Sequence, residues 1–167
     1  MNAAVQDAFN DQIKNELFSG YLYLSMSAHF DRENLPGFAR WMRLQAQEEL
    51  AHGMRMFDYV LRRGGQVELQ GIDTPATEFG SPLSVFQSVL EHEQAVTGMI
   101  NRLYELSGKE GDWAAQQELQ WFIGEQVEEE DSASTARDQV RMAGEDAAAL
   151  LMLDQQFGSR IADPEQA

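Results

Sequence analysis

The 167-residue chain contains no cysteine, and this absence excludes disulfide bonds, thiolate zinc sites, iron–sulfur clusters and cysteine nucleophiles. It also has no apolar run near the roughly 20 residues that span a bilayer. The first residues lack the basic start and the apolar stretch of a signal peptide. These absences predict a cytoplasmic protein with no membrane partner.

Positive charge is scarce. Lys and Arg total 12 against 28 Asp and Glu, which gives a formal net charge of −16. Such a surface repels the phosphate backbone of nucleic acids, so we expect no nucleic-acid partner. The same surface attracts metal cations.

Proline is rare as well, and four prolines together with short glycine-containing turns divide the chain into five helical segments. Apolar residues recur at intervals of three and four within each segment, which is typical of amphipathic helices. Ser81 is the predicted N-cap of the third helix. The predicted helices are residues 5–31, 38–63, 82–108, 112–143 with an interruption at Gly124, and 145–158, followed by a loose tail at 159–167.

The connections between these helices are short, long and short. Short connections produce antiparallel hairpins, whereas the segment 66–82 has no helical period and is long enough to run the length of a bundle. The sequence therefore predicts one all-α domain over residues 1–167. Its core is a four-helix bundle of about residues 5–143, with a long crossover between helices 2 and 3 and a short fifth helix.

Each long helix carries an acid or an amide on its apolar face. Glu16, Glu49, Glu93 and Gln126 all lie three, four or seven residues from core-facing apolar side chains. His52 and Glu129 lie one turn after Glu49 and Gln126. A buried, unpaired carboxylate costs several kcal/mol, and the apolar stripes contain no Lys or Arg near these positions. Bound metal is the economical way to stabilise this group.

The two halves of the chain repeat the pattern, since 33 residues separate Glu16 from Glu49 and 33 separate Glu93 from Gln126. The segments that carry it occur in order along nearly the whole chain and resemble those of prokaryotic non-haem ferritins, which belong to the ferritin-like di-metal carboxylate class. These segments are Asn15–Tyr23, Gln47–His52, Glu91–Gln94 and Trp121–Glu130.

The resemblance implies an iron storage protein with ferroxidase activity, an oxidoreductase that acts on Fe²⁺ and O₂. It implies a first iron held by Glu16, Glu49 and His52, and a second held by Glu93 and the bridging Glu49, with Gln126 and Glu129 nearby. Tyr23 corresponds to a tyrosine beside the di-iron site, as a hydrogen-bonding or redox partner, although packing alone also explains a buried tyrosine. The side chains that resemble ligands of a third iron are Glu48, Glu125 and Glu128, which could equally form a solvated face.

The resemblance also implies a homo-oligomeric cage of 24 subunits with ferric oxyhydroxide mineral inside. Leu50 stands where haem-binding relatives have methionine, so we expect no haem. Oxygen-rich ligands with one imidazole favour Fe²⁺, with Mn²⁺ as an alternative. Two other functions stay open at this point: a di-iron peroxide scavenger that uses H₂O₂ without storing iron, and an assembly module with a structural metal ion.

Overall fold

The computed structural model describes residues 1–161, which form five α-helices and no strand. The expectation of an all-α fold is confirmed. The predicted tail is described only as far as Ile161, and residues 162–167 lie outside the described part of the chain. The helices are α1 (Ala3–Arg32), α2 (Pro36–Arg62), α3 (Pro82–Lys109), α4 (Trp113–Ala143) and α5 (Ala147–Gly158).

Local sequence signals set most of the helix ends. Ser81 caps α3 through its side chain, which accepts a hydrogen bond from the Ser84 backbone N–H, as predicted. Asp146 caps α5 in the same way, with its side chain accepting from Ala148 and Ala149. The fifth helix therefore begins two residues later than expected, because Glu145 and Asp146 belong to the turn and the cap.

The interruption expected at Gly124 is wrong. α4 runs unbroken from Trp113 to Ala143. Gly124 is exposed, and a Cβ added there would meet no atom within 4 Å. A single glycine costs a helix about 1 kcal/mol relative to alanine. The buried residues Leu119 and Phe122 hold the helix against the core just before this position, so that cost does not break it.

The crossover runs along α1 from one end to the other. Near its start, the Gln66 backbone N–H donates to the Gln6 side chain, at 2.8 Å. Near its end, Arg32 donates to the Thr77 carbonyl at 2.9 Å and His29 contacts the Gly80 carbonyl at 3.0 Å. The segment thus brings the chain back to the end of the bundle where α2 begins, so α3 runs parallel to α2.

The apolar core consists of two clusters separated along the bundle axis. One cluster includes Phe30, Phe38 and Phe86, and the other includes Phe9 and Met56. On every long helix a stretch that belongs to neither cluster lies between the two, and these stretches contain buried polar residues that together form a polar layer. They are Glu16 and Ser19 on α1, Glu48, Glu49 and His52 on α2, Glu93 on α3, and Gln126 and Glu129 on α4.

α5 closes one end of the bundle by packing on the start of α2. The Phe157 ring lies 5.2 Å from the Phe38 ring and 5.5 Å from the Phe86 ring, centroid to centroid. Asp154 Oδ1 accepts a hydrogen bond of 2.8 Å from the Phe38 backbone N–H. A Cβ at Gly37 would lie 1.7 Å from the Asp154 carbonyl oxygen, so only glycine permits this approach. No helix in residues 1–161 is long and apolar enough to cross a membrane.

A pair of glycine substitutions tests the docking of α5. Gly37→Ala forces α5 away from α2 and exposes Phe157, so we expect a loss of about 2 kcal/mol in the free energy of unfolding. Gly124→Ala adds a methyl group in open space and should stabilise the chain by about 0.5–1 kcal/mol. Thermal unfolding followed by circular dichroism at one protein concentration measures both. Equal stability of Gly37→Ala and the wild type would contradict the described contact.

Candidate metal centre

Three potential ligands from two helices converge in the polar layer. Glu16 on α1 and Glu49 and His52 on α2 each present one ligand atom, and these atoms lie within 4.8 Å of one another. All three residues are at most 2% exposed. Within residues 1–161 this is the one group of three or more acidic, histidine or cysteine side chains with such spacing.

Several polar atoms of this group lack a hydrogen-bond partner. In the described part of the chain they are both carboxylate oxygens of Glu49 and Nε2 of His52. An unsatisfied buried polar group costs about 1–3 kcal/mol, and more if it is charged. The other ring nitrogen of His52, Nδ1, lies 3.7 Å from Glu49 Oε2. Two carboxylates and one neutral imidazole, all shielded from water, therefore fit the hard oxygen and nitrogen ligands that Fe²⁺ or Mn²⁺ takes.

Glu93 reaches the same layer from α3, held by partners on two other helices. The Tyr23 hydroxyl of α1 donates to Glu93 Oε1. The Gln126 amide of α4 donates to Glu93 Oε2 at 3.3 Å and to the Glu93 carbonyl at 3.3 Å. The same amide also donates to Thr97 Oγ1 at 3.3 Å. Glu93 thus has a fixed orientation, with Tyr23 and Gln126 both bonded to its carboxylate.

Glu129 completes the layer from α4 and connects it to the end of α5. Gln45 Nε2 donates to Glu129 Oε2 at 2.7 Å, and the Gln45 side-chain oxygen, Oε1, accepts from Arg160 Nη1. Arg160 Nη2 also donates to both carboxylate oxygens of Glu48, each at 3.0 Å. These contacts form a continuous polar path from Glu129 to the segment after α5.

Comparison with known proteins places this chain in a family. The ferritin-like domain model matches residues 6–143, most of the chain. The chain belongs to the ferritin family. The chain is 43% identical to a bacterial non-haem ferritin of Bacteroides fragilis strain 638R, over 93% of this chain and 97% of that protein. It is 35% identical to one of Staphylococcus aureus strain USA300, over 95% and 96% of the two chains.

Solved ferritin structures show the same fold. An open-pore ferritin from the hyperthermophilic archaeon Archaeoglobus fulgidus superposes with a TM-score of 0.95 at 46% identity, over 96% of this chain and 99% of that one. An engineered closed form of the A. fulgidus ferritin gives a TM-score of 0.96 at 47% identity, over 98% and 99% of the two chains. The expectation of a ferritin-like bundle with a long crossover and a fifth helix is therefore confirmed.

Burial dominates the electrostatics of the ferritin site. It raises the pKa of Glu49 well above its ordinary value, reinforced by the charges of Glu93 and Glu16. It also raises the pKa of Glu93 to about 7 and that of Glu129 to about 8. Burial and then the nearby Arg55 lower the pKa of His52 to about 4, so its imidazole is neutral at pH 7 and can offer a lone pair.

The other predicted residues are less closely gathered. Glu48 is buried against Arg160, Glu125 is half-buried, and Glu128 is exposed. These three do not form a group with ligand spacing among the described residues. Their role at a third iron stays a prediction, as does the catalytic role of Tyr23. The two other histidines have partners away from this site: His29 contacts the Gly80 carbonyl, and His92 Nε2 lies 2.8 Å from Ser19 Oγ.

Sequence reasoning missed several polar residues around the site. Gln12 donates to Glu16 Oε1 at 2.8 Å, and its position one turn before Glu16 was a usable signal. Gln45 lies one turn before Glu49 and carried the same signal. Arg160 carried none, because it follows the last helix and belongs to no periodic pattern. The apolar stripes contain no Arg near the buried acids, but the fold brings Arg160 to Glu48 from outside the stripes.

The raised pKa values predict how the stability of the metal-free ferritin depends on pH. Glu93 and Glu129 bind protons more tightly in the folded chain than in the unfolded chain. Their contribution to stability is therefore present at low pH and is lost as the pH rises through the folded-state pKa, about 7 for Glu93 and about 8 for Glu129. His52 has the opposite sign, but its effect lies below pH 6.5. Denaturant titrations in chelator should therefore show lower stability at pH 8.5 than at pH 6.5.

Glu129→Gln should reduce this decline by about 2 kcal/mol, because the amide needs no proton to remain neutral. Glu105→Gln, which removes an exposed carboxyl of α3, is the control and should keep the wild-type decline. A Glu129→Gln protein whose stability falls as steeply as that of the wild type would show that Glu129 does not hold a proton in the folded chain.

Proposed function

We propose that this chain is an iron storage ferritin that oxidises Fe²⁺ with O₂ within the bundle and keeps the Fe³⁺ as oxyhydroxide mineral in a homo-oligomeric cage. The observation that carries the proposal is the trio Glu16, Glu49 and His52. Its ligand atoms converge in a dry core, and three of its polar atoms have no partner among residues 1–161. Burying these atoms without partners costs free energy, and a bound cation would recover that cost.

In this proposal Glu16, Glu49 and His52 bind the first Fe²⁺, and Glu49 bridges to a second held by Glu93. Gln126 and Glu129 lie beside the second position. Two Fe²⁺ side by side supply the two electrons that reduce O₂ to the level of H₂O₂. The protein supplies pre-oriented ligands, and the hydrogen bonds from Tyr23 and Gln126 fix the Glu93 carboxylate before iron arrives.

The same residues determine which protons are released when iron binds. The pKa values of Glu93 and Glu129, about 7 and 8, mean that both carboxyls hold much of their proton at neutral pH. Binding a cation there releases these protons, because a metal ligand must be ionised. His52 is already neutral and binds without losing one. Tyr23 keeps its proton, since burial raises the pKa of its hydroxyl well above 10, and so serves Glu93 as a donor.

Storage and assembly are supported by the relatives and by the surface of α5. The matched proteins are named as ferritins, including an open-pore ferritin. Leu151 and Met152 are 54% and 72% exposed in the single chain, an apolar surface that neighbouring subunits would cover. We propose a cage of 24 copies, with a third iron at Glu48, Glu125 and Glu128, no haem, and a cytoplasmic location. One domain over residues 1–167 also stays a prediction.

The direct test adds Fe²⁺ in steps, under air-saturated buffer, to metal-free protein while O₂ uptake is recorded. We expect a fast phase that saturates near two irons per chain, followed by continued turnover with the iron kept in solution. Glu49→Ala should abolish the fast phase, because that carboxylate is assigned to both irons. Glu105→Ala removes an exposed carboxyl from α3 and should leave the rate unchanged.

Other outcomes would select the alternatives. Fast consumption of H₂O₂ with no retained mineral would indicate a peroxide scavenger. Stoichiometric binding without O₂ uptake beyond the protein-free control would indicate a structural metal site. Unchanged initial rates in Glu49→Ala would refute the assignment of the bridging carboxylate.

The role of α5 in assembly has its own test. Removing residues 145–167 should impair cage closure or iron retention and leave the bundle helical. Leu151→Glu separates assembly from folding, because Leu151 is half exposed in the single chain. We expect it to keep the helical content and reduce the cage fraction seen by sedimentation velocity. Stable, mineral-filled cages from the truncated chain would contradict this role.

A further inference from the structure

Arg160 forms an ion pair with Glu48, a buried carboxylate of the polar layer. One guanidinium nitrogen, Nη2, donates to both oxygens of Glu48, and the other, Nη1, donates to Gln45. The guanidinium carbon lies 5.3 Å from the centre of the Trp41 ring, within the range of a cation–π contact. The Glu48 carboxylate is 7% exposed and the Arg160 side chain 28%. This ion pair is better shielded from solvent than the exposed pairs Arg32–Glu78 and Arg43–Asp31.

The docking of α5 determines where Arg160 lies. Phe157 packs against Phe38 and Trp41 on α2, and the Arg160 backbone N–H donates to the Phe157 carbonyl at 3.2 Å. Arg160 is thus three residues from a buried anchor, and its side chain reaches Glu48 without a long flexible segment. Arg160, two residues after the end of α5, is therefore bonded to the polar layer.

The geometry at Glu48 is that of a chelated cation. Nη2 lies 3.0 Å from each carboxylate oxygen, and so occupies the side of the group on which a metal ion held by both oxygens would lie. A guanidinium and a divalent ion carry charge of the same sign, and they cannot occupy that position together. Binding of one requires departure of the other.

Gln45 links the position of Arg160 to Glu129. Its amide oxygen faces Arg160 and its amide nitrogen faces Glu129 Oε2, 2.7 Å away. As long as Arg160 holds the oxygen, the amide can only donate to Glu129. Departure of Arg160 frees the amide to rotate and offer its oxygen.

We propose that Arg160 is an internal cation that competes with a divalent metal ion for Glu48, so that metal binding at Glu48 releases Arg160 from the bundle. The inference rests on the proposed function only in taking Glu48 as a metal ligand. It makes Arg160 a positioning residue that sets the affinity of this outer site. Its described side-chain hydrogen bonds reach Gln45 and Glu48 but not Glu49 or Glu93, so we expect the inner ligands to keep their affinity.

The test is an anaerobic calorimetric titration of the full-length, assembled protein with Co²⁺, which binds oxygen and nitrogen ligands and is not oxidised under these conditions. Arg160→Gln should strengthen a third binding event by about tenfold, the effect of removing one charge-assisted pair. The first two events should keep their affinity. Arg141→Gln, which removes the same charge from an exposed pair on α4, should match the wild type.

Hydrogen exchange gives a second readout that does not depend on affinity. In the wild type, the Arg160 amide should exchange faster once Co²⁺ exceeds two ions per chain. In Arg160→Gln the amide at position 160 should exchange fast from the start. Arg160→Lys retains a charge without the two-nitrogen geometry and should give an intermediate third affinity.

Three results would overturn the proposal. They are equal third-site affinity in Arg160→Gln and Arg141→Gln, a weaker third site in Arg160→Gln, and no third binding event in Arg160→Gln at all. If the wild type shows no first two binding events, the proposed di-iron function is refuted instead. One titration therefore distinguishes failure of the Arg160 proposal from failure of the proposed function.

Discussion

The burial of carboxyl groups without a matching positive charge is the constraint on which the rest of the structure depends. Glu16, Glu49 and Glu93 are each at most 2% exposed, and both oxygens of Glu49 lack a partner within residues 1–161. The cost is several kcal/mol against a total stability of about 5–15 kcal/mol. Two compact apolar clusters, one on each side of the polar layer, supply the stability that tolerates this cost. The fold therefore holds its ligands in place before any metal ion is bound.

The crossover and α5 lie outside the four-helix bundle, but both help to position side chains at the polar layer. The crossover is bonded to α1 from Gln6 to Arg32 and returns the chain so that α3 can bring Glu93 into the layer. α5 packs on α2 through Phe157 and delivers Arg160 to Glu48. Each of the four long helices contributes side chains to the polar layer, and the connections set how the helices align along the bundle axis.

Periodicity was sufficient to predict the architecture and the buried acids, because helix faces follow directly from spacing. It placed Glu16, Glu49, Glu93 and Gln126 on core faces, and all four are buried. It failed at Gly124, where tertiary packing outweighs the weak helix propensity of one glycine. It also could not foresee Arg160, since a contact between residues 112 positions apart depends on how α5 docks. Helical spacing likewise did not indicate whether Glu48, Glu125 and Glu128 gather, because that depends on side-chain contacts between helices.

On the proposed function, the buried acids of the polar layer bind iron. The most direct measurement is anomalous diffraction at the iron absorption edge from crystals loaded with Fe²⁺ under anaerobic conditions. We expect two peaks per chain inside the bundle, one among Glu16, Glu49 and His52 and one between Glu49 and Glu93. Iron found only at surface carboxylates, with Glu49 and His52 making no contact to it, would show that the buried acids do not bind iron.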